Sequence, residues 1–244
     1  MGTVELILIR HGESEGNVAA SAAQAAGAET IDIDLRDADV PLSATGRRQA
    51  QALAPWLAGL AETQRPTSAW SSPYLRARQT AEAAKFGQPN ALRVDERLRD
   101  RELGILDLLT AVGVQARYPA EAQRRQWLGK FYYRPPGGES WADVVLRVRS
   151  LLADLDRRDD GGRVALVCHD AVILLLRYVC EDLSEENLLA LAASTAVLNG
   201  SITRLVRPSG RGLWQLASFN QVDHLEETGT PVTQHAGDTD ALPH

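Results

Sequence analysis

The chain has no apolar run close to the roughly 18–20 residues that cross a bilayer. Its first residues lack the positive start and small-residue cleavage site of a secretory signal. Cysteine is scarce, 2 among 244 residues, and neither Cys168 nor Cys180 has other ligand types around it at metal-site spacing. A membrane span, a disulfide-stapled exported domain and a zinc site are therefore not expected; reduced thiols and a cytoplasmic setting are. Basic residues are in deficit as well: 26 Lys+Arg stand against 32 Asp+Glu, a formal net charge of −6. That balance argues against a nucleic-acid binder, whose footprint is basic. It leaves room for an anionic small molecule, because local arginines outweigh the global sign. Internal repeats and a glycine-rich nucleotide loop are missing too.

What is present is an ordinary globular composition, 44% hydrophobic and 24% charged, on a chain long enough for a sizeable core. Residues 4–9 are almost continuously apolar, the pattern of a strand buried on both faces, and 163–168 repeat it. Shorter strands are expected at 68–71 and 92–95, and a hairpin from 201–206 and 213–219. Helical spacing runs through 46–62, where Pro55 predicts a kink or restart, and through 75–85, 141–157 and 172–179. Ser140, with Asp143 three residues on, caps the third of these. Residues 18–39 read as a helix followed by a loop. The stretch 104–136 is long for a loop; helices near 107–117 and 120–130 and a substrate cap are expected there. Little periodicity survives beyond residue 222, so 223–244 read as a loosely held tail, with His224, His235 and His244 solvated. Strands alternating with helices predict an α/β fold with a largely parallel sheet, as a single domain over 1–222.

Both long apolar strands end on a histidine, His11 and His169. Ligand crevices in open α/β sheets form at strand ends, and the two histidines meet there if their strands are parallel neighbours. A histidine with one nitrogen held by an acceptor and the other unprotonated is a nucleophile. Arg10 sets a fixed cation beside it.

The run Leu8-Ile9-Arg10-His11-Gly12-Glu13-Ser14 resembles the opening motif of the histidine phosphatase superfamily, the phosphoglycerate mutase-like family. Pro41-Leu42-Ser43-Ala44-Thr45-Gly46-Arg47-Arg48-Gln49-Ala50 resembles its second block, and Ser71-Ser72-Pro73-Tyr74-Leu75-Arg76-Ala77-Arg78-Gln79-Thr80-Ala81 its third. Leu98-Arg99-Asp100-Arg101-Glu102-Leu103-Gly104, Pro136-Gly137-Gly138-Glu139-Ser140 and Val164-Ala165-Leu166-Val167-Cys168-His169 follow in the family's order. The likeness covers most of the chain.

This resemblance implies a three-layer α/β/α sandwich and a phosphohistidine formed on His11. It implies Arg10, Arg76, His169 and Asn17 around the phosphoryl group, fixed guanidinium forks being suited to phosphate oxygens. Arg78, two residues further along a helix, should face elsewhere. Asp100 matches the family's usual acid, commonly a glutamate, and would protonate the leaving oxygen. Glu102, two residues on, and Asp170, which matches the acid of the acid phosphatase branch, are the alternative acids. Glu13 would orient the pocket. Tyr133 and Arg134, with Tyr132, Arg124 and Arg125, either recognise the rest of the substrate or serve cap packing and surface charge. Neither a metal nor a cofactor is implied, and the oligomeric state is left open, a homodimer among the choices.

The branch is read from departures. Gly16 stands where cofactor-primed phosphoglycerate mutases show tryptophan, and Thr110-Ala111-Val112 stand where a lysine is expected. Residues 132–176 are similar to the bisphosphatase half of the fructose-2,6-bisphosphate enzyme, but Gly138 and Leu174 replace its sugar-phosphate contacts. The favoured expectation is a hydrolase of a small phosphorylated metabolite, with no nucleic-acid or membrane partner. The mutase, the sugar bisphosphatase and a non-catalytic phosphoester-binding regulator are the alternatives.

Overall fold

Strand β1, Glu5–Arg10, is buried along its whole length because its neighbours cover both faces. A computed structural model describes residues 2–86 and 92–235. β1 lies between β4 (Arg163–Cys168), paired parallel, and β5 (Ile202–Val206), paired antiparallel. β2 (Ser68–Ser71) joins the other side of β4 in parallel, β3 (Leu92–Val94) extends it, and β6 (Gln215–Gln221) closes the antiparallel edge. The sheet order is β3-β2-β4-β1-β5-β6. The parallel part and the terminal hairpin both agree with the sequence reading.

Alternate residues of the strands feed two cores. Leu6 and Leu8 of β1 and Leu166 of β4 join one core with α6 (Trp141–Arg158), α7 (Asp170–Cys180) and α8 (Glu185–Ser194). Ile7, Ile9 and Val167 join the other with Leu53 of α2 (Ala44–Gly59) and Ala77 and Ala81 of α3 (Leu75–Ala83). The result is the three-layer sandwich, the parallel sheet being covered on both faces as its apolar strands require.

Several boundaries moved, each for a physical reason. α2 continues through Pro55, which sits on its exposed side where the freed carbonyl meets water. Helix α4 (Ala111–Arg117) starts at Ala111 rather than 107, because Leu108 takes a positive φ of 58° and Thr110 caps the helix. α5 follows at Pro119–Tyr132. Helix α8 was not anticipated; Ser184 accepts from Asn187 N and starts it.

The largest correction is at the carboxyl end. Residues 223–235 are held against the body: α9 (Asp223–Glu227) buries His224 and Leu225, with the His224 ring 6.5 Å from that of Trp56. Further on, Gln49 Nε2 donates to the Pro231 carbonyl and to Thr233 Oγ1. Such anchoring by single polar contacts leaves no periodicity in the sequence. His224 and His235 are therefore not solvated, while His244 lies outside the described residues.

Candidate active site

The register of β1 and β4 builds the site. Arg10 pairs with Cys168, and His11 N donates to the Cys168 carbonyl at 3.0 Å, so His11 and His169 leave the sheet side by side. Their ring centroids are 5.1 Å apart at 61°. Gly12 lets the chain turn close beneath α2: a Cβ on Gly12 would stand 2.4 Å from the Gly46 carbonyl oxygen, and one on Gly46 1.8 Å from that of Glu13. The glycines of the first two motifs thus have a packing cause.

The tautomer of His11 follows from its partners. Nδ1 lies 2.7 Å from the Gly12 carbonyl oxygen, an acceptor only, so Nδ1 carries the proton. Nε2 keeps its lone pair and accepts from Arg76 Nε at 3.3 Å. Burial first, then the nearby Arg76, His169 and Arg10 charges, hold the His11 pKa well below the usual histidine range. The ring is neutral at neutral pH, with its free nitrogen facing a guanidinium.

His169 is wholly buried; its Nε2 lies 2.8 Å from Ser72 Oγ and its Nδ1 3.2 Å from Asp100 Oδ2, out of line for a good hydrogen bond. Arg76, on the first turn of α3, donates from Nη2 to Asp100 Oδ2 at 3.1 Å. Burial would raise the Asp100 pKa, yet His169 and Arg76 outweigh it and hold the carboxyl well below the usual carboxylate range. Arg10 is buried with its Nη1 donating to the Val197 carbonyl and, at 3.2 Å, to that of His235; its Nε has no partner. His11, His169, Arg10, Arg76 and Asp100 are therefore brought together as the motifs anticipated.

Other expected residues surround this group. Asn17 caps α1 (Glu15–Ala25): its Oδ1 accepts from Ser14 N, and also from Asn199 Nδ2, whose amide reaches the His11 carbonyl as well. Glu13 accepts from Ser43 Oγ at 2.6 Å and lies 2.8 Å from His235 Nε2. Glu102 accepts from Tyr74 OH at 2.6 Å, and Asp170 accepts from Ala171 N at the start of its own helix. Tyr133 and Arg134 are engaged by neighbouring side chains: buried Tyr133 donates to Glu121 of α5, and Arg134 pairs with Asp143 of α6 at 2.7 Å. Arg78 lies 4.0 Å from Glu82 on the outer side of α3, as expected.

Sequence reasoning passed over Ser72, Gln49, Thr80, Tyr74, Asn199, Asp37 and His235. Ser72, Tyr74, Thr80 and Gln49 stand inside the quoted motifs, where their places were the available signal; Thr80 Oγ1 accepts from Gly12 N and Gln49 Oε1 from Glu13 N. Among the described residues no group of three or more His, Cys, Asp or Glu side chains is placed to hold a metal ion, and no helix is long and apolar enough to cross a membrane.

A sheet whose central strands deliver paired histidines onto two buried arginines defines a class, and comparison places the chain in it. The family model of the histidine phosphatase superfamily (branch 1) matches residues 6–222, and the chain belongs to that superfamily. It is similar to 6-phosphofructo-2-kinase/fructose-2,6-bisphosphatase of Gallus gallus, 33% identical over 182 residues, which are 74% of this chain and 34% of the relative. The chain thus spans about a third of the length of that curated relative. It is also similar to the solved mycobacterial glucosyl-3-phosphoglycerate phosphatase complexed with VO3, at 30% identity and a TM-score of 0.71 over 90% of this chain and 100% of that one. Bacillus stearothermophilus YhfR matches at 26% identity and a TM-score of 0.71, covering 91% of this chain and 99% of its own.

Proposed function

We propose that the protein hydrolyses a phosphomonoester of a small metabolite through a phosphohistidine on His11. The observation that carries this reading is the His11 ring, neutral, tautomerically fixed by Gly12, with Nε2 facing Arg76. The fructose-2,6-bisphosphatase and glucosyl-3-phosphoglycerate phosphatase relatives support it, both being phosphatases by name.

His11 Nε2 attacks phosphorus, forming the N–P bond as the P–O bond to the leaving group breaks. Arg10, Arg76 and His169 take the charge on the equatorial oxygens, and Asn17 steadies the His11 turn through Asn199. Asp100 protonates the leaving oxygen. In the free site it is a carboxylate; once the phosphoryl group claims Arg76 and His169, its counter-charges are shared with an anion, burial raises its proton affinity, and it takes up a proton from solvent that it returns when the product leaves. The same carboxylate then takes the proton of the water that attacks the phosphohistidine. Asp170 and Glu102 stay bound to Ala171 N and Tyr74. We further place the residues of 104–136 as a cap over the mouth of a domain that takes in the docked segment 223–235, and the protein in the cytoplasm, consistent with its free buried cysteines.

The test is phosphate release from p-nitrophenyl phosphate and a panel of metabolite esters in EDTA, with wild type beside His11→Ala. Release lost in the variant, together with an acid-labile, base-stable phosphoprotein in quenched wild type, is the expected result. Undiminished release by His11→Ala overturns the mechanism, and phosphate binding without any release overturns the activity.

A further inference from the structure

A guanidinium has five N–H donors, and in this structure all those of Arg76 are engaged. Nε meets His11 at 3.3 Å, Nη1 meets the Asp37 carbonyl and Oδ1 at 2.6 and 2.9 Å, and Nη2 meets Asp37 Oδ2 and Asp100 Oδ2 at 3.1 Å each. Asp37 therefore occupies the fork that a phosphoryl group needs. The two partners differ in burial: the Arg76 side chain is 5% exposed and that of Asp37 41%, on a short 3-10 turn, Asp37–Asp39. A fixed cation is covered by a carboxylate that comes from the surface.

The loop bearing Asp37 is stitched to the segment bearing Asp107. Ile31 N donates to the Leu108 carbonyl at 2.9 Å, Thr30 bridges Leu109, and Thr110 N donates to the Glu29 carbonyl. Burial, followed by the facing Asp37 and Glu102 charges, pushes the Asp107 carboxyl up. Glu102 is itself held by Tyr74, whose ring lies 4.9 Å from the Arg76 guanidinium. Arg36, the cation of the loop, is tied to Asp39 at 3.0 Å. The mouth above the two arginines is thus lined by carboxylates, while the wholly buried His169 Nδ1 still has no aligned partner.

We propose that the pocket selects phosphomonoesters whose leaving group carries an ammonium, through an exchange of ion pairs at Asp37. This rests on the phosphatase reading above. The entering phosphoryl group takes Arg76 from Asp37, and the released carboxylate, beside Glu102 and Asp107, takes the ammonium. A neutral leaving group leaves that carboxylate unpaired next to two others. A second anion on the substrate adds repulsion from all three.

Three two-carbon esters test this: O-phosphoethanolamine, 2-hydroxyethyl phosphate and 2-phosphoglycolate, which differ in the charge of one terminal group. In wild type kcat/KM should fall in that order, by about tenfold per step. Asp37→Asn, which leaves Arg76 a neutral acceptor, should cut the ratio of first to last about tenfold and tighten competitive inhibition by inorganic phosphate. Asp107→Asn should reduce the ratio less. Preference for 2-phosphoglycolate, or a ratio and a phosphate affinity unmoved by Asp37→Asn, overturns the proposal. Calorimetric binding of the three esters to His11→Ala reads the same order without turnover. If that order holds while wild type releases phosphate from nothing, including p-nitrophenyl phosphate, the phosphatase reading fails and the charge selection stands.

Discussion

The floor of the pocket and its mouth are built by different means. The floor residues leave the ends of β1 and β4 and the first turn of α3, elements locked by two apolar cores. The mouth is made of loops at 30–43 and 99–110, the turn at 197–199 and the segment 230–235, joined by side-chain and single backbone hydrogen bonds. A rigid floor suits in-line phosphoryl transfer, where positioning supplies the rate. A mouth held by separable polar contacts suits selection, because each contact can be exchanged for one to the ligand.

If the floor works as fixed geometry, even a charge-conserving change there should be severe. Arg76→Lys replaces a fork that spans His11, Asp37 and Asp100 with a single flexible ammonium. We expect kcat/KM to fall about 10²–10³-fold, or ~3–4 kcal/mol, by the scale of a lost transition-state donor. Steady-state kinetics on p-nitrophenyl phosphate measure it, and a loss below tenfold would break the contrast. Gly46→Ala attacks the support under the floor, its Cβ falling 1.8 Å from the Glu13 carbonyl oxygen. Thermal melts should show a loss at or above the ~3 kcal/mol upper end of overpacking, since backbone and not a flexible tip must move.

The difference between floor and mouth is also the difference between what could and could not be read from the sequence. Continuous apolar runs announce buried strands, and Arg10-His11-Gly12 and Cys168-His169 sit at their ends, so fold and floor are local statements. Arg76 is legible through its motif although it lies far from His11 in the chain. Asp37 and His235 are not: one lies in an acidic loop, the other in a stretch without periodicity, and their roles depend on where distant backbone carries them. Tyr133 shows the converse case. An aromatic beside an arginine is compatible with ligand recognition or with packing, and burial, which gives its hydroxyl to Glu121, favours packing.

The carboxyl-terminal segment offers a test through pH. Burial pushes the His224 pKa down to about 4. Between about 4 and the unfolded value near 6.5, the unfolded chain binds a proton that the folded one does not, so stability rises with pH across that window. On acidification from 6.5 to 4 this histidine alone should remove at most ~3 kcal/mol. His224→Phe should flatten that part of the profile in denaturant titrations, while His11, also held low, leaves a residual slope in both proteins. Superimposable profiles would mean that α9 is not docked in solution.

The smallest effect is expected at His235, and it separates the two regions most sharply. Its Nε2 meets Glu13 at 2.8 Å and its Nδ1 meets Ser21 Oγ at 2.6 Å, while its carbonyl, not its ring, meets Arg10. His235→Ala therefore removes the side-chain clasp and keeps the backbone acceptor for Arg10. Glu13 retains Ser43 Oγ, so no buried carboxylate is stranded. A single such hydrogen bond to a charged group contributes about 1–2 kcal/mol, which predicts a severalfold rise in KM. Because the clasp touches neither His11 nor Asp100, kcat should stay within about twofold, and the melting temperature should fall by only a few degrees. A fall in kcat with KM unchanged would put His235 in the floor, since only interactions made with the transition state behave that way.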